Sequence, residues 1–465
     1  MSADSISRRT FLAQTAIGGA LSVTGCALSR PAPLAGPART IGANDRISIG
    51  VIGTGDRGRE WHIRQVASLA RSHNVEITAV CDVWRINLRK GAAQVREAFG
   101  REPRTFTRFG DLLALPDIDA VMIATSDNAH TPILIAAMKA GKDVYVEKPM
   151  SLSIAEANEA LDLARSTGRV VQAGTQRRSE GVFKAARREV ATGVLGTISR
   201  VDAGVYVNHP RWARPYDDCK EADVDWDAYL FNLPRRPFDP RLLRRWHLYR
   251  GFTNGLSGLW MAHYADGVNM MLGTTYPKSA VAHGGLYVWK DGREHGDTFQ
   301  ALLDYPEGFL MNWGMGLGNA TGTHWTINGT KATLDAEKWT ITEDIPTGEK
   351  RKAEPRAIQP EPSDNHVGNW LDCIRSRKRP NADIEAGQIR REASVDSHGV
   401  ALDRVVERQA ERTAQRIQNG TVEQRRAVAR NQRVAPLRGS EVDQSLVVAG
   451  EVAEGGVGQI GRAHV

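Results

Sequence analysis

Two groups of residues have types and spacings suited to chemistry. The first is Gly53-Thr54-Gly55-Asp56-Arg57-Gly58, a GxGxxG run directly after the apolar segment from Ile47 to Ile52. Where such a run joins a strand to a helix, the first glycine makes a tight turn and the second lets the backbone approach a pyrophosphate. The third lets the helix pack close to the strand, and the helix N-terminus presents free N–H groups to the phosphates. A second apolar run, Val75 to Cys81, ends at Asp82. A carboxylate there accepts a hydrogen bond from a ribose 2′-hydroxyl and repels a 2′-phosphate, so the reading is a dinucleotide site for NAD in preference to NADP. The bland alternative is a structural glycine turn followed by an exposed strand-end acid. The second group is His263 and Asp266, which share one face of a helix predicted over 257–272 and closed by Gly273. An imidazole oriented by a carboxylate is a general base for taking a hydroxyl proton as hydride leaves carbon. Standing alone, such a histidine is more often structural.

The elements that must position these groups alternate. After Asp82 the pattern predicts a helix over 87–99, a buried strand at 120–124, a helix over 131–140 closed by Gly141, and a strand at 143–146. Strands separated by helices of this length form a parallel, doubly wound sheet. Thr125-Ser126-Asp127-Asn128-Ala129-His130 and Glu147-Lys148-Pro149 then fall at the carboxyl ends of its strands, where such folds bind ligands.

Together with Gly174-Thr175-Gln176-Arg177-Arg178, Asp225-Trp226-Asp227, His263-x-x-Asp266, His366-Val367-Gly368-Asn369-Trp370 and Ile384-Glu385-Ala386-Gly387, these motifs make the chain resemble the Gfo/Idh/MocA oxidoreductases over about residues 44–387. The Glu-Lys-Pro element is the most diagnostic. The resemblance implies an α/β fold: an N-terminal Rossmann domain over 44–170 and a C-terminal α/β domain over 171–387 with a large open, mainly antiparallel sheet that often forms an oligomer interface. The segments 201–207, 280–289, 298–305 and 309–317, and those flanking Asn328-Gly329, agree with such a sheet, being rich in β-branched and aromatic residues. It also implies cofactor contacts from Thr125, Asn128, His130, Glu147, Lys148 and Gln176, beside the Gly53–Gly58 turn and Asp82, and a catalytic role for Lys148, His263 and Asp266. An ammonium at Lys148 holds the oxygen undergoing oxidation and favours its alkoxide-like form. Many relatives carry an aspartate four residues before the histidine, where this chain has Leu259, so the usual triad is incomplete. Tyr206, His209, Trp212 and Trp246 lie in loops that mix aromatic faces with hydrogen-bond donors, which suits either a carbohydrate ring or a dimer interface. Arg177 is a further substrate candidate and Tyr264 a weaker one, pointing about 100° away from His263 on a helix.

Composition narrows the rest. The formal charge is +7, but three of these charges sit in the first 43 residues and two after Gly387, so the basic balance is no argument for nucleic acid. Cys81, Cys219 and Cys373 are isolated, and no spacing suggests a metal site or a disulfide framework. Ser7-Arg8-Arg9-Thr10-Phe11-Leu12, before a mildly apolar run to Gly25, reads as a twin-arginine export signal within a 1–43 signal and linker. Val23-Thr24-Gly25-Cys26 resembles a lipobox, which would anchor the protein to a membrane through lipidated Cys26; ordinary cleavage within 30–39 is the alternative. The tail, 388–465, has no Phe, Tyr, Trp, Lys or Met and is expected to be either disordered or the product of a frameshift or assembly error.

The expectation is therefore a periplasmic or cell-envelope oxidoreductase that moves hydride between a tightly held NAD and a sugar or glycoside hydroxyl, acting as a homo-oligomer. The alternatives are an NAD-dependent glycosidase working by transient sugar oxidation, elimination and rereduction, and a non-catalytic nucleotide-holding protein.

Overall fold

In the computed structural model, which describes Gly42 and residues 45–387, the first half of the chain builds a six-stranded parallel sheet. Its strands are β1 (Ile47–Ile52), β2 (Val75–Cys81), β3 (Arg104–Phe106), β4 (Ala120–Ile123), β5 (Asp143–Val146) and β6 (Val171–Ala173), in the order β3-β2-β1-β4-β5-β6. Every residue of β1, β4 and β5 is buried, as a sheet covered on both faces requires. The covering helices are α1 (Arg64–Leu69), α2 (Arg85–Phe99), α3 (Phe109–Leu113), α4 (Asp127–Lys139) and α5 (Ile154–Thr167). A π-helical segment, Gly58–Ile63, precedes α1, a winding frequent at functional sites. Strand order reverses between β1 and β4, and the crevice beyond their carboxyl ends is where the glycine turn lies.

The second half begins with α6 (Gly181–Ala191) and β7 (Ile198–Asn208). Residues 209–254 then form a cover carrying α7 (Trp226–Leu230) and α8 (Pro240–Arg244), built around a small core of Leu230, Leu242, Leu248, Tyr249 and Phe252. After it come α9 (Gly255–Leu272) and the strands β8 (Ser279–Gly285), β9 (Thr298–Tyr305), β10 (Phe309–Gly316), β11 (Gly318–Gly329), β12 (Ala332–Asp335), β13 (Thr340–Glu343) and β14 (Arg356–Ala357). The eight-stranded sheet runs β14-β13-β12-β11-β7-β10-β9-β8, antiparallel throughout except where β7 pairs with β10. One face packs on α6 and α9 through Phe183, Tyr264, Trp313 and Trp325. The other leaves Val281, Leu302 and Leu310 exposed, with Val281 and Leu302 directly paired across β8 and β9.

The fold agrees with the α/β class expected, and the structure moves several boundaries. The first domain does not end at residue 170: β6 pairs in parallel with β5. α10 (His366–Ser376) also returns to it, because the apolar face of Val367, Trp370 and Leu371 is buried in the same core as Ile47 and Ile49 of β1 and Ile63 and Val66 at α1. β8 stops at Gly285, short of Trp289, because both oxygens of Asp297 accept backbone N–H bonds from Tyr287, Val288 and Trp289 and draw that segment out of the ladder. α4 starts at Asp127, four residues early. Asn328 pairs with Thr333, so the hairpin turn is wider than the two residues Asn-Gly suggests. The export signal, Cys26 and the tail after Gly387 fall outside the described residues.

The helix–strand contact at the turn is tight enough to test. A methyl group on Gly58 would lie 2.0 Å from the Gly53 carbonyl oxygen, whereas one on Gly110 in α3 would meet nothing within 4 Å. Gly58→Ala is expected to lower stability by about 1–3 kcal/mol, and Gly110→Ala to be neutral or to stabilise by up to about 1 kcal/mol, read from denaturant midpoints.

Candidate functional site

The three motif glycines have different reasons to be glycine. Gly53 has φ of 91°, donates its N–H to Cys81 O at 2.8 Å, and a Cβ on it would sit 2.5 Å from Ala124 O. Gly58 is fixed by the helix contact just described. Gly55 is not constrained in this way: a Cβ there would meet only Asn87 Nδ2, at 3.7 Å, and the position faces a cleft of about 850 Å³. A residue that the protein leaves room to enlarge, at the head of a helix and facing a cavity, fits close approach by a pyrophosphate.

The cleft has two walls. One comes from the parallel sheet: Gly53, Gly55, Asp56 and Arg57 on the turn, Asp82 and Trp84 after β2, Thr125 and Ser126 after β4. The other comes from the cover: Trp212, Arg214, Tyr229, Arg244, Trp246 and His247. Contacts clamp the walls together. Arg108 Nε pairs with Asp225 at 3.0 Å, Arg85 Nη1 donates to Ala222 O at 2.6 Å, Arg214 Nη1 pairs with Asp56 at 3.1 Å, and the Arg244 guanidinium lies 4.9 Å from the Trp84 ring centre.

Asp82 accepts from Thr54 N at 2.8 Å, Thr54 Oγ1 at 3.2 Å and Trp84 N at 2.9 Å, so its carboxylate is fixed at the rim of the cleft. Burial outweighs those bonds and lifts its pKa to about 6.

Several residues expected to touch the cofactor stand behind the lining and shape it. Glu147 is buried, and its Oε1 accepts from Arg57 Nε at 2.7 Å and His62 Nε2 at 3.1 Å. Burial opposes its charge, yet the bond from His62 and the guanidinium of Arg57 overcome this and hold its carboxyl well below the usual range. Burial likewise keeps His62 neutral. The Gln176 side-chain amide lies 3.2 Å from Tyr145 Oη, on the Arg57 side of this group. His130 has its ring nitrogens 2.8 Å from Pro149 O and 3.2 Å from Thr125 O, so it braces the loop after Lys148 against the β4 end. Asn128 donates its backbone N–H to Phe252 O at 3.1 Å, joining α4 to the cover.

Lys148 is half-buried, with Nζ 3.5 Å from the carbonyl oxygen of Leu259 on α9, so the lysine reaches the helix that bears His263. Asp266 is buried, and the structure gives it a partner the sequence did not suggest: Arg178 Nε donates to it at 2.6 Å. Arg177 and Tyr264 belong to the packing of the second sheet and not to the cleft, since the guanidinium lies 5.0 Å from the Tyr264 ring and 5.1 Å from Trp325. Their aromatic neighbours explain this placement: a large ring on the inner face of α9 is worth more buried than exposed, and Arg177 Nη1 also reaches the His263 carbonyl oxygen at 3.5 Å. Tyr206 lies on the outer face of β7, its hydroxyl accepting from Gln300 Nε2 at 3.0 Å, and exposed His209 takes the Arg211 N–H at 2.8 Å, so neither joins the cleft wall. Trp212 and Trp246 do join it.

Two residues escaped sequence reasoning. Asp127, the neighbour of Asn128, is 2 % exposed; its Oδ2 accepts from Thr253 Oγ1 at 2.7 Å, and that hydroxyl accepts from Gly255 N at 3.1 Å, which pins the start of α9 to the start of α4. Burial raises its pKa to about 7. His247 sits between Trp212 and Trp246, and only its adjacency to Trp246 was there to be noticed.

A family described as an oxidoreductase family with an NAD-binding Rossmann fold, Gfo/Idh/MocA, matches residues 47–175. The first domain is thus similar, over those residues, to the nucleotide-binding domain of the Gfo/Idh/MocA oxidoreductases. A glycosyl hydrolase family 109 protein of Shewanella sp. (strain W3-18-1) is 29% identical over 192 residues, covering 40% of each chain. An inositol 2-dehydrogenase/D-chiro-inositol 3-dehydrogenase of Lactiplantibacillus plantarum is 27% identical over 206 residues, 42% of this chain and 56% of its own. The alignments thus span about half the length of these relatives or less. The WlbA dehydrogenase of Bordetella pertussis, solved with NADH and UDP-GlcNAcA, shares the fold with a TM-score of 0.54 and 20% identity over 74% of this chain and 93% of its own. NAD is the cofactor of this domain family, and the glycine turn and Asp82 are the residues here that would hold it.

The two raised carboxyl groups give opposite tests. Only ionised Asp82 is a full acceptor for ribose hydroxyls, so NADH affinity should fall as pH drops through about 6. Asp82→Ala should weaken NADH by roughly 10- to 100-fold, with NADPH affected less, both read by fluorescence titration. For Asp127 the native pKa lies above the unfolded one, so the folded state loses stability as pH rises from about 4 through about 7. Asp127→Asn removes that loss, and its melting temperature relative to wild type should rise between pH 5 and pH 8.

Proposed function

We propose that the protein is an exported oxidoreductase that moves hydride between a tightly held NAD and a hydroxyl-bearing carbon of a sugar or glycoside. The observation that carries this reading is one cleft with a nucleotide-type turn on one wall, aromatic rings on the other, and Lys148 reaching from the sheet to the helix of His263. NAD held by the glycine turn and Asp82 would supply the hydride acceptor and donor for such a carbon. Lys148 holds the hydroxyl oxygen and favours its alkoxide-like form, and His263 receives the proton. With Leu259 in place of an acid, no carboxylate on that turn of α9 shares this work. The cover clamps the cleft, which favours a nucleotide that stays bound between turnovers, as a compartment poor in free NAD demands. Exposed Val281, Leu302 and Leu310 favour assembly of copies through the second sheet. The twin-arginine signal and lipidation of Cys26 complete the proposal for its location.

A redox-cycling glycosidase is the second reading, favoured by the glycosyl hydrolase name of the Shewanella relative. Oxidation of one hydroxyl acidifies the adjacent C–H, allowing loss of the aglycone before the carbonyl is rereduced.

Protein carrying its native nucleotide is incubated with sugars, inositols and aryl glycosides, without added cofactor, while nicotinamide absorbance and released aglycone are followed together. Reduction that persists until a carbonyl acceptor is added is the expected result; aglycone release over many turnovers without net reduction establishes the glycosidase. Absence of either leaves a nucleotide-holding protein. Lys148→Ala should slow hydride transfer by roughly a hundredfold to a thousandfold while bound nucleotide is retained.

A further inference from the structure

The cover contributes a stack of three rings to the cleft wall. The His247 ring lies against Trp246, with centroids 3.6 Å apart and planes 20° apart, and against Trp212, at 4.2 Å and 3°. Arg211 and Trp212 both have positive φ, 44° and 58°, so two successive non-glycine residues adopt a disfavoured backbone where Trp212 meets the imidazole. His247 is 9% exposed, and its Nδ1 is sealed from solvent without a hydrogen-bond partner. Nε2 is left as the nitrogen that the cleft can reach. Burial first, then the cations Arg214 and Lys148, push its pKa well below the ordinary value, so the ring is neutral.

A stack of this kind needs an aromatic ring but no nitrogen. A phenylalanine would fill the slot without leaving Nδ1 buried and unpaired, so what the imidazole adds is Nε2, the nitrogen open to the cleft that His247 lines. Arg214 pairs with Asp56 at the head of the phosphate-facing helix, and Lys148 marks the reacting end, so the imidazole stands under the influence of both.

We propose that His247 binds a hydroxyl group of a sugar ring in the cleft through Nε2, with Trp212 and Trp246 holding the imidazole in a fixed plane. A sugar hydroxyl both donates and accepts, so it suits either neutral tautomer. The ring is the reacting sugar or the nicotinamide ribose of the cofactor; this inference rests on the sugar-directed reading of the cleft only for the first of these.

The test compares wild type with His247→Phe, which keeps a stackable ring, and His247→Gln, which restores a polar group. One arm titrates NADH, read as energy transfer from the flanking tryptophans. The other titrates myo-inositol and a set of methyl glycosides into the NADH-loaded protein, read as a change in the fluorescence of bound NADH. The expected result is a loss of about threefold to tenfold in one arm for His247→Phe, with at least partial recovery in His247→Gln. A loss in the NADH arm identifies the ribose hydroxyl, and a loss confined to the second arm identifies the substrate. Affinities equal to wild type in both arms, with folding intact by circular dichroism, overturn the proposal. Both arms measure binding and read without turnover, whereas the proposed activity fails if wild type reduces no bound nucleotide with any sugar.

Discussion

One buried charge organises the nucleotide end of the molecule. Glu147 is 5% exposed, and a carboxylate so far from water is tolerated only when paired and hydrogen-bonded. Its partners are Arg57, on the glycine turn, and His62, in the π-helical segment after it. Glu147 itself directly follows β5, and a Cβ on Gly174, just after β6, would sit 2.8 Å from its Oε2. The carboxylate thus ties the glycine turn to the end of β5, close against the end of β6, and Lys148 is the next residue along. Arg57 lies over Trp61 at 4.3 Å, so the same guanidinium also braces the first turn of the helix.

The reacting end is assembled across the two domains. The relay from Asp127 through the Thr253 hydroxyl to the Gly255 N–H sets where α9 begins, and Lys148 reaches the Leu259 carbonyl one turn further on. That arrangement gives Leu259 a backbone role. Ionisable groups that feel the Lys148 ammonium include Asp127 and His130 from the parallel-sheet half and His247 from the cover. The chemistry of this site is therefore distributed over segments far apart in sequence.

The cover brings aromatic rings to face the glycine turn across one cleft. Its small core lets it hold its shape while only side chains and a few backbone bonds attach it to the parallel sheet. It brings aromatic rings and three arginines, Arg214, Arg235 and Arg244, to the groove, and the partial exclusion of water there strengthens the polar contacts within it.

What the sequence determined by itself was local: the strand–glycine–helix turn, the acid ending β2, the helix–strand alternation and most strands of the second sheet. These rest on periodicity, turn chemistry and backbone sterics, which act over a few residues. Tertiary structure decided the rest. α10 joins the first domain because its apolar face finds β1 some 300 residues away, and Glu147 faces Arg57 because of strand order. Tyr264 is buried in the second core against Trp325, and half-buried Arg177 lies over both rings. Burial raised Asp127 and silenced His247, and the degree of burial depends on what the distant chain lays over a side chain, a quantity that no local pattern encodes.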